Sequence, residues 1–176
     1  SEPARRAIWA VAVVAISAAW AQANDAAVAA YVKEQLGPAA VSGRFRPSFP
    51  IPAEMRQGHV APWPGPEAAY WAADNRRVWI IRSRGKMLPL LVAVTVEEGT
   101  VHHLRVLEDR NPYGKEATRS RYLQTFEGLR LEGDALSRRV DSVTGATFTA
   151  RGIRWAVHLA LLLDQAFARA SAPQPP

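Results

Sequence analysis

The chain contains no cysteine. That absence excludes a disulfide framework, a thiolate-held zinc or iron–sulfur centre, and cysteine nucleophile chemistry. Any redox work therefore needs an imported cofactor. No block of lysine and arginine interleaved with aromatics is present, so a nucleic-acid binder is not expected. Histidine is sparse, and His102, His103 and His158 have no carboxylate or cysteine cluster beside them. Adjacent strand residues such as His102 and His103 point to opposite faces, so no metal site is expected. No internal repeat is visible.

What is present suits one domain with an appendage: 176 residues, 48% of them hydrophobic, enough to build a core. The formal charge is +6, and arginine supplies most of it. Such a surface favours solubility and attraction to anionic lipid or an acidic protein.

Residues 7–23, AIWAVAVVAISAAWAQA, carry no charge. The run reaches the minimum length for a bilayer-spanning helix. Trp9 and Trp20 stand near its ends, where amphipathic rings favour the interfaces, and Arg5 and Arg6 favour a cytoplasmic start. A single-pass inner-membrane anchor is expected, with everything after it on the periplasmic side. The competing reading is a cleaved signal peptide, since Ala21-Gln22-Ala23 has the form of a cleavage site. Both readings export the rest of the chain.

The exported part reads as α+β: an antiparallel sheet packed with helices. Asn24 and Asp25 cap a helix over 25–36 that Gly37-Pro38 stops. Residues 42–66 hold six prolines and no period, as in an extended strap. Ala69-Tyr70-Trp71 and Val78–Ile81 read as strands around a turn at Asp74-Asn75. A Gly85-Lys86 turn leads to a buried strand over 88–96, in which Leu90 and Leu91 face opposite ways and serve the core. Glu97-Glu98-Gly99 turns the chain into a strand over 100–107, with Val101, Leu104 and Val106 as core candidates. The three strands form a meander. A short helix is predicted over 120–127, stopped by Gly128, then a brief strand at Leu129 and Leu131. An extended lead-in over 138–143 precedes an amphipathic helix with Ile153, Ala156, Val157, Ala160, Leu161 and Leu163 on its buried face. The implied divisions are 1–24 anchor, 25–66 helix and strap, 67–170 main domain and 171–176 tail.

The most informative segment is Asp141-Ser142-Val143-Thr144-Gly145-Ala146-Thr147-Phe148-Thr149. Gly145 can take a positive φ, and Ala146 adds little bulk, so a large ligand can approach the backbone. Thr147 is expected one or two residues before the helix, where exposed N–H groups and the helix dipole favour a phosphate. Thr147 also suits an ordinary N-cap, contributing about 1 kcal/mol. Asp141 is placed to orient a hydroxyl if the chain doubles back.

This segment resembles the flavinylation motif of the FMN-binding domain family, which includes FMN subunits of the sodium-pumping NADH:quinone reductase and of Rnf complexes. The pattern is carried by Asp141, Thr144, Gly145, Ala146 and Thr147, with Thr149 also fitting. Residues 78–108 and 108–128 resemble the family's preceding strands and loop, so the resemblance covers about 75–165. The chain is shorter than the ion-pump subunits.

The resemblance implies FMN on Thr147 through a phosphoester, attached from FAD by a separate flavin transferase with magnesium. It places Glu108, Tyr113 and Gly114 near the isoalloxazine, where Tyr113 can stack on the ring or shield the core. Arg151 is placed to pair with phosphate or to stay solvated. The implied role is an extracytoplasmic electron carrier, an electron-transfer subunit within a membrane redox complex rather than a stand-alone catalyst. The alternative is an accessory subunit that keeps the fold without flavin.

Overall fold

The computed structural model describes residues 24–50, 52–53, 55, 61–62 and 67–173. The anchor expected over 7–23 lies outside them. Among the described residues no helix is long and apolar enough to cross a membrane.

The expected meander forms one side of an antiparallel sheet. β1 (Val41–Phe45), β2 (Ala61–Pro62) and β3 (Ala68–Ala73) precede the long strands β4 (Arg76–Arg84), β5 (Pro89–Glu97) and β6 (Thr100–Asp109). The order is β1-β3-β4-β5-β6, and β2 pairs with β4 beyond the end of β3. Glu98 and Gly99 both take positive φ, 49° and 76°, as the two-residue turn that matches strand twist requires. The proline-rich stretch is less irregular than its composition suggests. Residues 41–45 form an edge strand on β3, where Pro47 cannot extend the ladder.

The sheet is covered on both faces, and strand alternation decides which side chain goes where. Trp79, Ile81, Leu90, Val92 and Val94 are buried against the long helix Thr147–Ser171, in a cluster with its Ile153, Ala156, Val157 and Ala160. Val78, Ile80, Leu91 and Ala93 are buried on the other face, against a helix through residues 24–36 that presents Val28, Tyr31 and Val32. Leu90 and Leu91 thus serve opposite cores. Gly37 ends that helix at φ 79°, its N–H donating to Lys33 O.

β6 departs from strict alternation. Its register against β5 skips Leu107 and His102, two bulges. The bulge at His102 explains why Val101 and Leu104 are both buried although three residues apart. Val106 is only half-buried. The helix expected over 120–127 is a single turn, Ser120–Leu123, between 3₁₀ turns at Lys115–Thr118 and Gln124–Phe126. β7 (Leu131–Glu132) and β8 (Ala135–Leu136) make a small hairpin. The lead-in over 138–143 joins no strand, and Val140 is its buried contact.

Two polar contacts tie helices to the sheet. Asp164 is buried in the long helix, where it accepts from Arg77 Nε (2.6 Å), Arg77 Nη2 (3.0 Å) and Trp79 Nε1 (2.9 Å). The hydrogen bonds it donates to Asp164 hold the Arg77 guanidinium charged, its pKa above the ordinary value. On the other face the Tyr31 hydroxyl lies 2.8 Å from Thr95 Oγ1 and 3.0 Å from His103 Nδ1. Burial raises the pKa of Tyr31, so it remains neutral.

Asp164→Ala leaves a half-buried guanidinium and an indole N–H unpaired, and should cost about 3 kcal/mol, read from urea unfolding. Burial lowers the pKa of His103 from 6.5, with Arg105 acting the same way. The unfolded chain therefore takes up the proton first. This contribution to stability is complete above pH 6.5 and is lost as pH falls through the lower folded value. The urea midpoint should drop on acidification over that window, and His103→Gln should flatten that part of the profile.

Candidate functional site

The 141–149 segment opens the long helix. A turn closed by Ala146 N–H on Val143 O (3.0 Å) uses Gly145 at φ 79°. A Cβ at Gly145 would meet nothing within 4 Å, so the glycine serves conformation rather than space. The turn makes Ala146 the N-cap, and its carbonyl takes the first helical bond from Ala150 N–H (2.9 Å). Thr147 was expected one or two residues earlier. It is instead the first helical residue, and no side chain caps the helix. The N–H groups of Thr147, Phe148 and Thr149 thus belong to the first turn, which has no intrahelical acceptors.

The start of the helix is fixed against the sheet by close approach. A Cβ on Gly152 would collide with the carbonyl of Arg84, and Ser83 Oγ donates to Gly152 O at 2.7 Å. A second wall comes from the loop after β6, held by Asn111, which is 1% exposed. Asn111 Oδ1 accepts from the N–H groups of Met87 and Leu88, both at 2.8 Å. Its Nδ2 donates to Leu88 O (2.9 Å) and Asp109 Oδ1 (2.8 Å). One amide therefore joins the β4–β5 turn to the 109–114 loop. Gly114, at φ 86°, then lies so close to the helix that a Cβ would stand 2.5 Å from Thr149 Oγ1.

These elements enclose a cleft of about 190 Å³ lined by Lys86, Tyr113, Gly114 and residues 145–149. Thr149 is buried in its wall, whereas Thr147 is exposed. Tyr113 and Phe148 are 63% and 55% exposed, an unusual state for two aromatic rings beside one cleft. Lys86 Nζ stands 5.4 Å from the centroid of the Tyr113 ring. No lining residue is acidic. The helix N-terminus and an ammonium therefore act on the same space, and an anion is favoured there.

Of the residues singled out in the sequence, Gly145, Ala146, Thr147, Thr149, Tyr113 and Gly114 line this cleft. Thr144 and Asp141 are exposed outside its lining, and Asp141 contributes its carbonyl to the Tyr122 hydroxyl at 2.9 Å. Glu108 is also outside it, paired with Arg110 at 2.6 Å. Arg151 packs over the rings of Phe148 (5.8 Å) and Trp155 (5.9 Å). Lys86, Phe148 and Asn111 were not anticipated. Phe148 stands inside the motif as an apolar residue off the helix's buried stripe, a signal that was there to read. Lys86 and Asn111 reach the site through long-range pairing that no local pattern announces. The histidines have separate partners: Glu97 for His102, Tyr31 for His103 and the Asp134 carbonyl for His158.

Asn111→Ala should destabilise the domain by about 2 kcal/mol, because two hairpin N–H groups lose their acceptor. Amide exchange at Met87 and Leu88 should quicken with it.

Residues 85–162 match the family model described as FMN-binding domain, which bears out the resemblance read from the sequence. No curated protein matches the chain, and no solved structure does.

Proposed function

We propose that the chain is a flavoprotein electron carrier with FMN bonded through its phosphate to Thr147. The match over residues 85–162 supports a flavin-binding role. The observation that carries the finer reading is the exposed Thr147 hydroxyl at an uncapped helix start, inside a cleft without carboxylates.

The residues present fit the group. The first-turn N–H groups and Lys86 suit a phosphate, and the exposed rings of Tyr113 and Phe148 offer apolar surface to a planar system. The cleft is smaller than the roughly 300 Å³ at which ligand pockets begin, so part of the nucleotide stays outside it. A shallow site of this kind holds a ligand weakly, and a covalent bond offsets that weakness. FMN, when bound, supplies one- and two-electron chemistry. The chain supplies the rest. Thr147 Oγ1 gives the attachment point, Lys86 balances phosphate charge, and Gly114 keeps the loop close to Thr149.

The reading extends to the setting. The uncharged run over 7–23 with its arginine flank supports a membrane-anchored, periplasmic carrier. One flavin cannot complete an electron path alone, so the carrier works within a membrane redox complex and is loaded by a flavin transferase.

Intact mass of the protein from its native membrane should exceed the chain mass by one FMN less one water. In-gel flavin fluorescence should accompany it, and Thr147→Ala should abolish both while leaving the circular dichroism unchanged. An unmodified native mass would favour an accessory subunit instead.

A further inference from the structure

A second concave site lies farther along the long helix. It is a groove of about 600 Å³ lined by Leu136 of β8, Arg138 and Arg139 after it, and Arg154, Trp155 and His158 of the helix. None of its lining residues is acidic. Two of its side chains are already engaged by carbonyl oxygens. Arg138 Nη2 donates to Thr125 O (2.5 Å) and Glu127 O (3.1 Å), and His158 Nε2 lies 2.6 Å from Asp134 O. Arg139 and Arg154 differ. Among the described residues, no ion pair or hydrogen bond engages either guanidinium, whereas their neighbour Arg138 is held by two carbonyl oxygens.

One stripe of the long helix runs from the cleft to the groove. Phe148, Arg151, Trp155 and His158 recur at intervals of three and four, which places them along one stripe of the helix. Arg151 bridges the stripe, packing over the rings of both Phe148 and Trp155.

We infer that this groove is the docking surface for an acidic segment of a partner protein. Unpaired guanidinium forks match carboxylates in shape and charge, and a guanidinium sheds water more readily than an ammonium. Trp155 is half-buried and lines the same groove. Arginine and tryptophan together are the side chains that dominate protein–protein binding energy. The surface is a shallow depression between the hairpin and the helix, wide enough for a side-chain-bearing segment to lie in it. The partner would sit beside Phe148 and the cleft. The inference does not require the flavin, because the groove is built without it.

The test uses the full chain and a fluorescein-labelled, glutamate-rich peptide read by anisotropy. Binding should weaken with salt. It should fall roughly tenfold in Arg139→Ala/Arg154→Ala, and stay unchanged in Arg44→Ala, on the exposed edge strand β1. Should the double variant unfold by circular dichroism, Arg139→Glu, at an exposed position, repeats the test. Thr147→Ala should bind the peptide as the parent does, which separates this proposal from the flavin reading. Equal affinity in parent and arginine variants would overturn it. So would binding of phosphatidylserine vesicles, lost in the variants, with no binding of the peptide.

Discussion

The place where the long helix meets the end of β4 governs the rest of the molecule. Gly152 lets the two backbones approach until a single Cβ would not fit, and Ser83 locks the contact through the Gly152 carbonyl. A helix seated this tightly has little freedom to slide. Its first turn therefore projects a fixed distance beyond the sheet, where the 109–114 loop can face it. Asp164 pins the same helix farther along, through Arg77 and Trp79. Between these contacts lies a continuous apolar cluster in which Ile153, Val157 and Ala160 face β4 and β5.

The wall opposite the helix depends on different physics. Backbone apposition sets one side of the cleft, whereas a buried amide sets the other. Asn111 satisfies two N–H groups of the β4–β5 turn and one of its carbonyls, so the turn and the loop move together. Lys86 is carried into place by this arrangement and Tyr113 is left facing outward. The cleft is thus preorganised by parts that need no ligand, as an anion site at a helix start requires.

Much of this was legible in the sequence, for reasons that differ by element. β-Branched runs and short glycine turns mark β4 to β6, and helical spacing marks the long helix, because burial on one face leaves a period behind. The motif was legible through its resemblance to a family pattern, because a threonine before a helix alone suits an ordinary N-cap. What failed to show was non-local. The two bulges of β6 arise from pairing with β5, and the edge strand β1 exists only because β3 offers a ladder to it. The resemblance implied Glu108 near the flavin ring, and in the structure its carboxylate pairs with Arg110. Asp141 offers its carbonyl to Tyr122.

The exposure of Thr147 bears on chronology. Its oxygen is reachable with every strand paired and the helix already wound. On the proposed reading, attachment there needs no melted intermediate and can follow assembly of the domain. A modifying enzyme acting at that stage would meet a folded surface rather than a peptide. Its specificity would then be set by shape around the first turn as much as by the order of residues within it.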